Sequence, residues 1–219
     1  LSLHDALPIY YLPLIRLEDG KLRLKQKMNL IEKGEAHLKV VIPAKATLDS
    51  LDIQTSSGDI EIVDIKTEKA YLKSTEGRVR VRRVAIAESL LESTDGNVTV
   101  RNSDLADGKL ATYDGEIKVS GSILSKISLN VTDGDMNLTD VTIDEGSANL
   151  KAGNFTLDHA VFKSDYEIKN IEGNNTVWSA NLKYAHVRTA NGLNNISFDP
   201  QPSGVVLTMT TVDGDNVVE

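Results

Sequence analysis

The sequence predicts an all-β fold: a single-domain parallel β-solenoid (β-helix-like) with a repeat of about 19 residues per coil. Three observations carry that prediction. First, nine glycines fall in step, Gly58, Gly77, Gly96, Gly115, Gly134, Gly153, Gly173, Gly192 and Gly214, their successive numbers differing by 19 five times and then by 20, 19 and 22. A fixed period near twenty means one small unit that buries its apolar face only against its neighbours. Second, apolar residues hold fixed offsets from each glycine. They recur two and four places later (Ile60/Ile62, Val79/Val81, Val98/Val100, Ile117/Val119, Met136/Leu138, Phe155/Leu157), five places before (Ile53, Leu72, Leu91, Leu110, Leu129) and nine places after (Ile86, Leu105, Leu124, Ile143, Phe162, Leu182). Third, the residue three before the glycine is a hydroxyl in four successive coils, at Thr55, Ser74, Ser93 and Thr112. Alternation by two is the period of a strand. Each coil is therefore expected to hold two short strands and a shorter third side around a common interior.

Within a coil, the glycine is expected to supply a positive φ at a turn, which other residues reach only at a cost. The hydroxyl is expected to bond a backbone group that the turn leaves unpaired. Stacked copies then pair in parallel at about 4.8 Å.

Residues 1–9, LSLHDALPI, lack the repeat register and the pattern of a signal peptide; SLHDALPI resembles translated sequencing-adapter read-through, so His4 and Asp5 carry no meaning. Residues 10–35 are N-terminal capping strands or a first coil. Gly20 lies two periods before Gly58, with a coil centred on Lys39 between them, which gives eleven coils and a rod roughly 50 Å long. The alternative is a hairpin around Asp19-Gly20 that caps the stack. Residues 36–219 form the repeat domain. It stops at Glu219 in mid-strand, where an unpaired edge is expected, so the chain reads as truncated at its C-terminus.

The formal charge of −8 argues against a nucleic-acid partner, and 5% aromatics are too few for base-stacking platforms. The absence of cysteine excludes disulfides and thiolate metal sites. No stretch in this chain reads as a transmembrane segment.

The run Arg78-Val79-Arg80-Val81-Arg82-Arg83 is a basic strand, but register offers a structural account: Arg78 over Asp59, Arg80 over Glu61 and Arg83 over Asp64. Glu76, Asp95, Asp114 and Asp133, each one place before its glycine, form a vertical file of carboxylates and are the calcium candidates. The glycine-rich nonapeptide of calcium β-rolls is missing, and Asp-Gly is an ordinary turn dipeptide. No metal site is therefore assigned. His37, His159 and His186 sit at unrelated offsets and suggest neither zinc nor a nucleophile. The Asn-x-Ser/Thr matches at Asn97, Asn130, Asn137, Asn154, Asn174 and Asn195 are turn asparagines beside strand threonines. No catalytic or cofactor-binding residue is assigned, because no face combines paired carboxylates with a break in regularity that would shape a cleft.

Val40-Val41-Ile42-Pro43 followed by Leu48 to Ile62, with its phrase Thr55-Ser56-Ser57-Gly58-Asp59-Ile60-Glu61-Ile62, resembles the opening of the bacterial adhesin-type family of β-strand-repeat proteins. The phrase returns at Ser93-Thr94-Asp95-Gly96-Asn97-Val98-Thr99-Val100. Relatives in that family include Gram-positive envelope-stress proteins, among them a daptomycin-sensing surface protein. The resemblance implies a non-catalytic module at the bacterial cell surface or envelope, facing an envelope component or a protein partner. Two alternatives stand beside it: a polysaccharide-active β-helix enzyme, and a calcium-dependent adhesin using the acidic file. The departures at Asn175 and Asn194 and the lengthened last gap, from Gly192 to Gly214, mark the late coils as looser, or as the partner-facing end.

Overall fold

A computed structural model of the chain describes residues 2–3, 14–18, 21–25, 40–41, 47–178, 180–182, 184–198 and 204–219. In chain order the strands are β1 (Ser2–Leu3), β2 (Leu14–Glu18), β3 (Lys21–Lys25), β4 (Val40–Val41), β5 (Thr47–Thr55), β6 (Ile60–Val63), β7 (Lys66–Ser74), β8 (Val79–Arg82), β9 (Ala85–Asp95) and β10 (Val98–Arg101). They continue with β11 (Asp104–Asp114), β12 (Ile117–Ser120), β13 (Ile123–Asp133), β14 (Met136–Ala152), β15 (Phe155–Phe162), β16 (Tyr166–Glu172), β17 (Asn175–Trp178), β18 (Tyr184–Asn191), β19 (Asn194–Ile196), β20 (Val206–Asp213) and β21 (Asn216–Val218).

From β5 onward the pairing is parallel, and the register is the one the glycines predict. Ile60 partners Val79, Val79 partners Val98, and Val98 partners Ile117. Each turn of the solenoid is a short strand followed by a longer strand that bends to cover the other two sides. Nine rungs stack this way among the described residues, a rod of about 40 Å.

The four apolar columns read from the sequence are the core: Val79, Val81, Ile86 and Leu91 are between 0% and 3% exposed, and their counterparts as far as Leu157, Phe162 and Ile168 are equally buried. Two more inward columns complete the interior. Seven places before the glycine stand Leu51, Ala70, Ser89, Ile127, Tyr166 and Leu207. Seven places after it come Val84, Ser103, Ser122, Val141 and Ala160. These columns mix small, hydroxyl and large residues, so no single residue type announces them.

The glycine column answers to two demands, the expected positive φ over most of its length and a close approach that the sequence did not suggest. Gly115, Gly134, Gly153, Gly173, Gly192 and Gly214 have the expected positive φ, between 126° and 154°, whereas Gly77 and Gly96 do not. What the glycines from Gly77 on share is close approach. A Cβ on any of them would stand less than 3.0 Å from the carbonyl oxygen of the neighbouring rung's glycine, far inside contact distance. A second positive-φ corner lies six places on, at Asp64, Arg83, Asn102, Gly121, Asp140 and His159, with φ between 48° and 60°. Five of those six are not glycine.

At the N-terminal end the structure shows the hairpin alternative and not the extra coils, and at the C-terminal end it departs from the sequence reading. β2 and β3 form an antiparallel hairpin, and β3 rests directly on β5, with Leu22 opposite Leu51 and Leu24 opposite Ile53. No rung stands between them, so the stack has nine rungs and not eleven. Lys39, the centre of the expected extra coil, lies outside the described residues; Val41 belongs to β4, which pairs antiparallel with β1. Of residues 1–9 only Ser2–Leu3 is described.

At the other end the rungs leave chain order. β20 pairs with β16 on one side and β18 on the other, and β21 lies likewise between β17 and β19. The chain lays down β18–β19 one rung too far, then returns to fill the gap. Glu219 therefore does not lie on the open edge: its N–H donates to Val177 O at 2.9 Å. Among the described strands the open edge belongs to β18–β19.

Candidate functional site

The basic strand folds against the rung below it. Arg78 Nη2 lies 2.8 Å from Asp59 Oδ2, and Arg83 forks onto Asp64 with Nη2–Oδ2 at 2.7 Å. Arg80 departs from expectation: its Cα is in register with Glu61, but its guanidinium leans back to Asp59 at 3.4 Å. One carboxylate therefore serves two arginines. Burial works to raise the pKa of Asp59, but its hydrogen bonds to Arg78 and the charges of Arg78 and Arg80 outweigh that and hold it below the ordinary carboxylate value. The hydrogen bond from Arg83 does the same for Asp64, and Arg83 is held above its own usual value. Further pairs link adjacent rungs at Lys69–Glu88 and, around Glu92, at Lys73 and Lys109. Exposed pairs of this kind add little stability, but they penalise a slip in register.

The acidic file is in register, Asp95 opposite Asp114 and Asp114 opposite Asp133, and these three are exposed, as is Glu76. Beyond Asp133 the file passes to Ala152 and only then to Glu172. Among the described residues no group of three or more His, Asp or Glu side chains is placed to hold a metal ion. His159 sits in the left-handed corner with Nδ1 at 2.8 Å from Asp158, and His186 meets Tyr184 edge to face. His4 and His37 lie outside the described residues.

The polar side chains of the turns are used between rungs. Ser74, Ser93 and Thr112 donate to the carbonyl of the preceding rung's glycine at 2.9, 2.7 and 2.8 Å, and Ser74 Oγ also accepts its own glycine's N–H at 2.9 Å. One place after the glycine an Asx ladder runs up the rod that the sequence reading did not single out. Asp135 Oδ1 accepts the N–H of Asn154, Asn154 Oδ1 that of Asn174, Asn174 Oδ1 that of Asp215, and Asp215 Oδ1 that of Leu193, all at 2.8–3.0 Å. The repeated Asp or Asn after glycine was its signal.

The distal rungs carry a second polar ladder, inside the solenoid. Asn175 follows Phe155 in the inward column, then Asn216, then Asn194. Asn175 Nδ2 donates to Thr211 Oγ1 at 2.6 Å and Asn216 Oδ1 at 2.8 Å, and Asn216 Nδ2 donates to Asn194 Oδ1 at 2.9 Å. Asn175 and Asn216 are fully buried. The late coils are thus tied together by amides and are not loosened by them. At the end of this ladder two apolar side chains stand exposed among polar ones, Leu193 at 73% and Ile196 at 37%.

A family profile described as Toastrack DUF4097 matches residues 15–185 and, in a second overlapping match, residues 114–218. Overlapping matches are what a repeat produces when it aligns with itself in more than one register. No curated protein and no solved structure gives a significant match to the chain.

Proposed function

We propose, starting from a chain that belongs to the Toastrack (DUF4097) family, that it is a non-catalytic binding or structural module of the bacterial cell surface or envelope, adhesin-like and engaged in envelope-stress sensing. One observation supports this above the others. Many of the polar turn and flank side chains are spent between rungs, in the Asx ladder, the serine and threonine bonds to glycine carbonyls, and the arginine–aspartate pairs. Such a stack is a rigid presenting surface, and its specificity lies in which side chains line a face. The likeness of the Thr55–Ile62 phrase to the adhesin-type family supports the envelope setting.

The test is binding to isolated bacterial envelope fractions beside a turnover assay on a glycan and uronate panel. Saturable envelope binding without turnover is the expected result. Turnover that one acidic substitution abolishes would replace this reading with the polysaccharide-active enzyme. Calorimetry with calcium alone checks the remaining alternative: heat of binding at millimolar calcium, lost on replacing Asp95 and Asp114, would favour the calcium-dependent adhesin.

A further inference from the structure

We infer that the open β18–β19 rung is where two copies of this chain join end to end, through a twofold contact of the same patch. Among the described strands β18 is laddered to β20 alone and β19 to β21 alone, so each presents one row of backbone groups outside any ladder. Edges of this kind are ordinarily blunted with charge, proline or a covering element. Among the described residues this one has little charge to blunt it. Residues 184–198 contain no aspartate or glutamate and a single arginine, in a chain of net charge −8.

Hydrophobic exposure concentrates at the same end. Among the described residues, five of the eight exposed large hydrophobic side chains, Ile171, Trp178, Leu193, Ile196 and Val212, lie in the last three rungs. The amide ladder also ends here: Asn194 Oδ1 accepts from Asn216, and no described rung follows it.

The occupant follows from charge and from the difference between the two ends. Two chains of −8 repel along their flanks, where the acidic file and the paired acids lie, but not where the rung carries no acid. The opposite end carries the β2–β3 hairpin, which runs antiparallel and does not repeat the coil, so among the described strands its own free edge, on β2, differs from the β18–β19 rung. The bare rung of one copy therefore matches the bare rung of another, an isologous contact that closes at two. The twofold sets β18 antiparallel to its mate and lays Leu193 and Ile196 of each copy over the open rung of the other.

The experiment is sedimentation velocity on the full chain over a range of concentrations, with X-ray scattering on the same samples. The expected result is a monomer–dimer equilibrium whose dimer is close to twice the monomer's length. Leu193→Lys combined with Ile196→Lys should give monomer throughout with an unchanged circular dichroism spectrum, and Tyr113→Lys, on a similarly exposed side chain far from the end, should dimerise as the parent does. A parent that stays monomeric at all concentrations overturns the inference. So does a dimer no longer than the monomer, or one that survives the double substitution. The scattering length is read on the parent alone, so it decides the matter even if the double variant fails to fold.

Discussion

Asp215 Oδ1 accepts the backbone N–H of Leu193 at 2.8 Å, although Leu193 comes 22 residues earlier in the chain. The bond is the signature of rungs stacked out of chain order. In chain order Leu193 would sit below Asp215 and would have to offer an acceptor to the next N–H, which a leucine side chain lacks. Placing β18–β19 last puts the residue that cannot continue the ladder where no further described rung follows. Because the chain has no cysteine, paired cysteines report the order directly. Lys169→Cys with Thr210→Cys, register partners on adjacent rungs, should oxidise to an intramolecular disulfide. Lys169→Cys with Arg188→Cys, two rungs or about 10 Å apart, should not, since disulfides need Cα atoms within about 7 Å. Non-reducing mass spectrometry distinguishes them, and the reverse outcome would restore chain order.

Close approach is the demand shared by every column glycine from Gly77 on, a positive φ is added from Gly115 on, and three alanine substitutions separate the two. Gly134→Ala meets both obstacles, with φ +133° and Gly115 O well inside 3.0 Å of the new Cβ. Gly77→Ala meets only the second, against Gly58 O. Gly58→Ala meets neither, its nearest neighbour being Thr55 Oγ1 at 3.0 Å. By denaturant unfolding the first two should each cost about 3 kcal/mol or more, and the third about 1 kcal/mol or less. A mild Gly77→Ala would return the explanation to the backbone angle.

What was legible in the sequence is what repeats with one residue type. The glycines and the four apolar columns keep their chemistry over most rungs, and the Thr/Ser position does so from Thr55 to Thr112, so the parallel register could be read directly. The corner at Asp64, Arg83, Asn102, Gly121, Asp140 and His159 also recurs at the glycine period, but in backbone angle and not in side chain, and only Asn102 and Gly121 hint at it. Rung order was hidden for a stricter reason. Gly192 follows Gly173 at the usual interval, a spacing equally suited to an adjacent rung, and both stackings place Asn175, Asn194 and Asn216 in one column. Only hydrogen bonds such as that between Asp215 and Leu193 separate them. Of the candidate site, the charge pairs were legible because opposite signs recur at the repeat distance; the lean of Arg80 onto Asp59 depends on side-chain conformation, which spacing does not carry.

The amide ladder makes the distal rungs sensitive to one buried position. Asn175→Ala removes a fully buried donor from Thr211 and Asn216 and leaves polar atoms without a partner in the core. It should cost about 2–3 kcal/mol in denaturant unfolding. Asn194→Ala, at the exposed end of the same column, should cost less than about 1 kcal/mol. Equal costs at the two positions would mean the ladder is not a buried network.

Acid should loosen the first rungs through Asp59 and Asp64. Both carboxylates have folded pKa values below the ordinary 3.8, so their contribution is fully present above that value and is lost as pH falls through the lower folded one. Protonation of Asp59 releases two arginines at once, since Arg78 and Arg80 share it. Carboxyl chemical shifts followed by NMR should show both aspartates titrating below 3.8. Arg83→Gln should move Asp64 back up toward 3.8 and leave Asp59 where it was, because the hydrogen bond from Arg83 is the largest influence on Asp64 and Asp59 answers to other arginines. If Asp64 titrates unchanged in that variant, the fork from Arg83 does not persist in solution, and the rung-to-rung account of the basic strand fails with it.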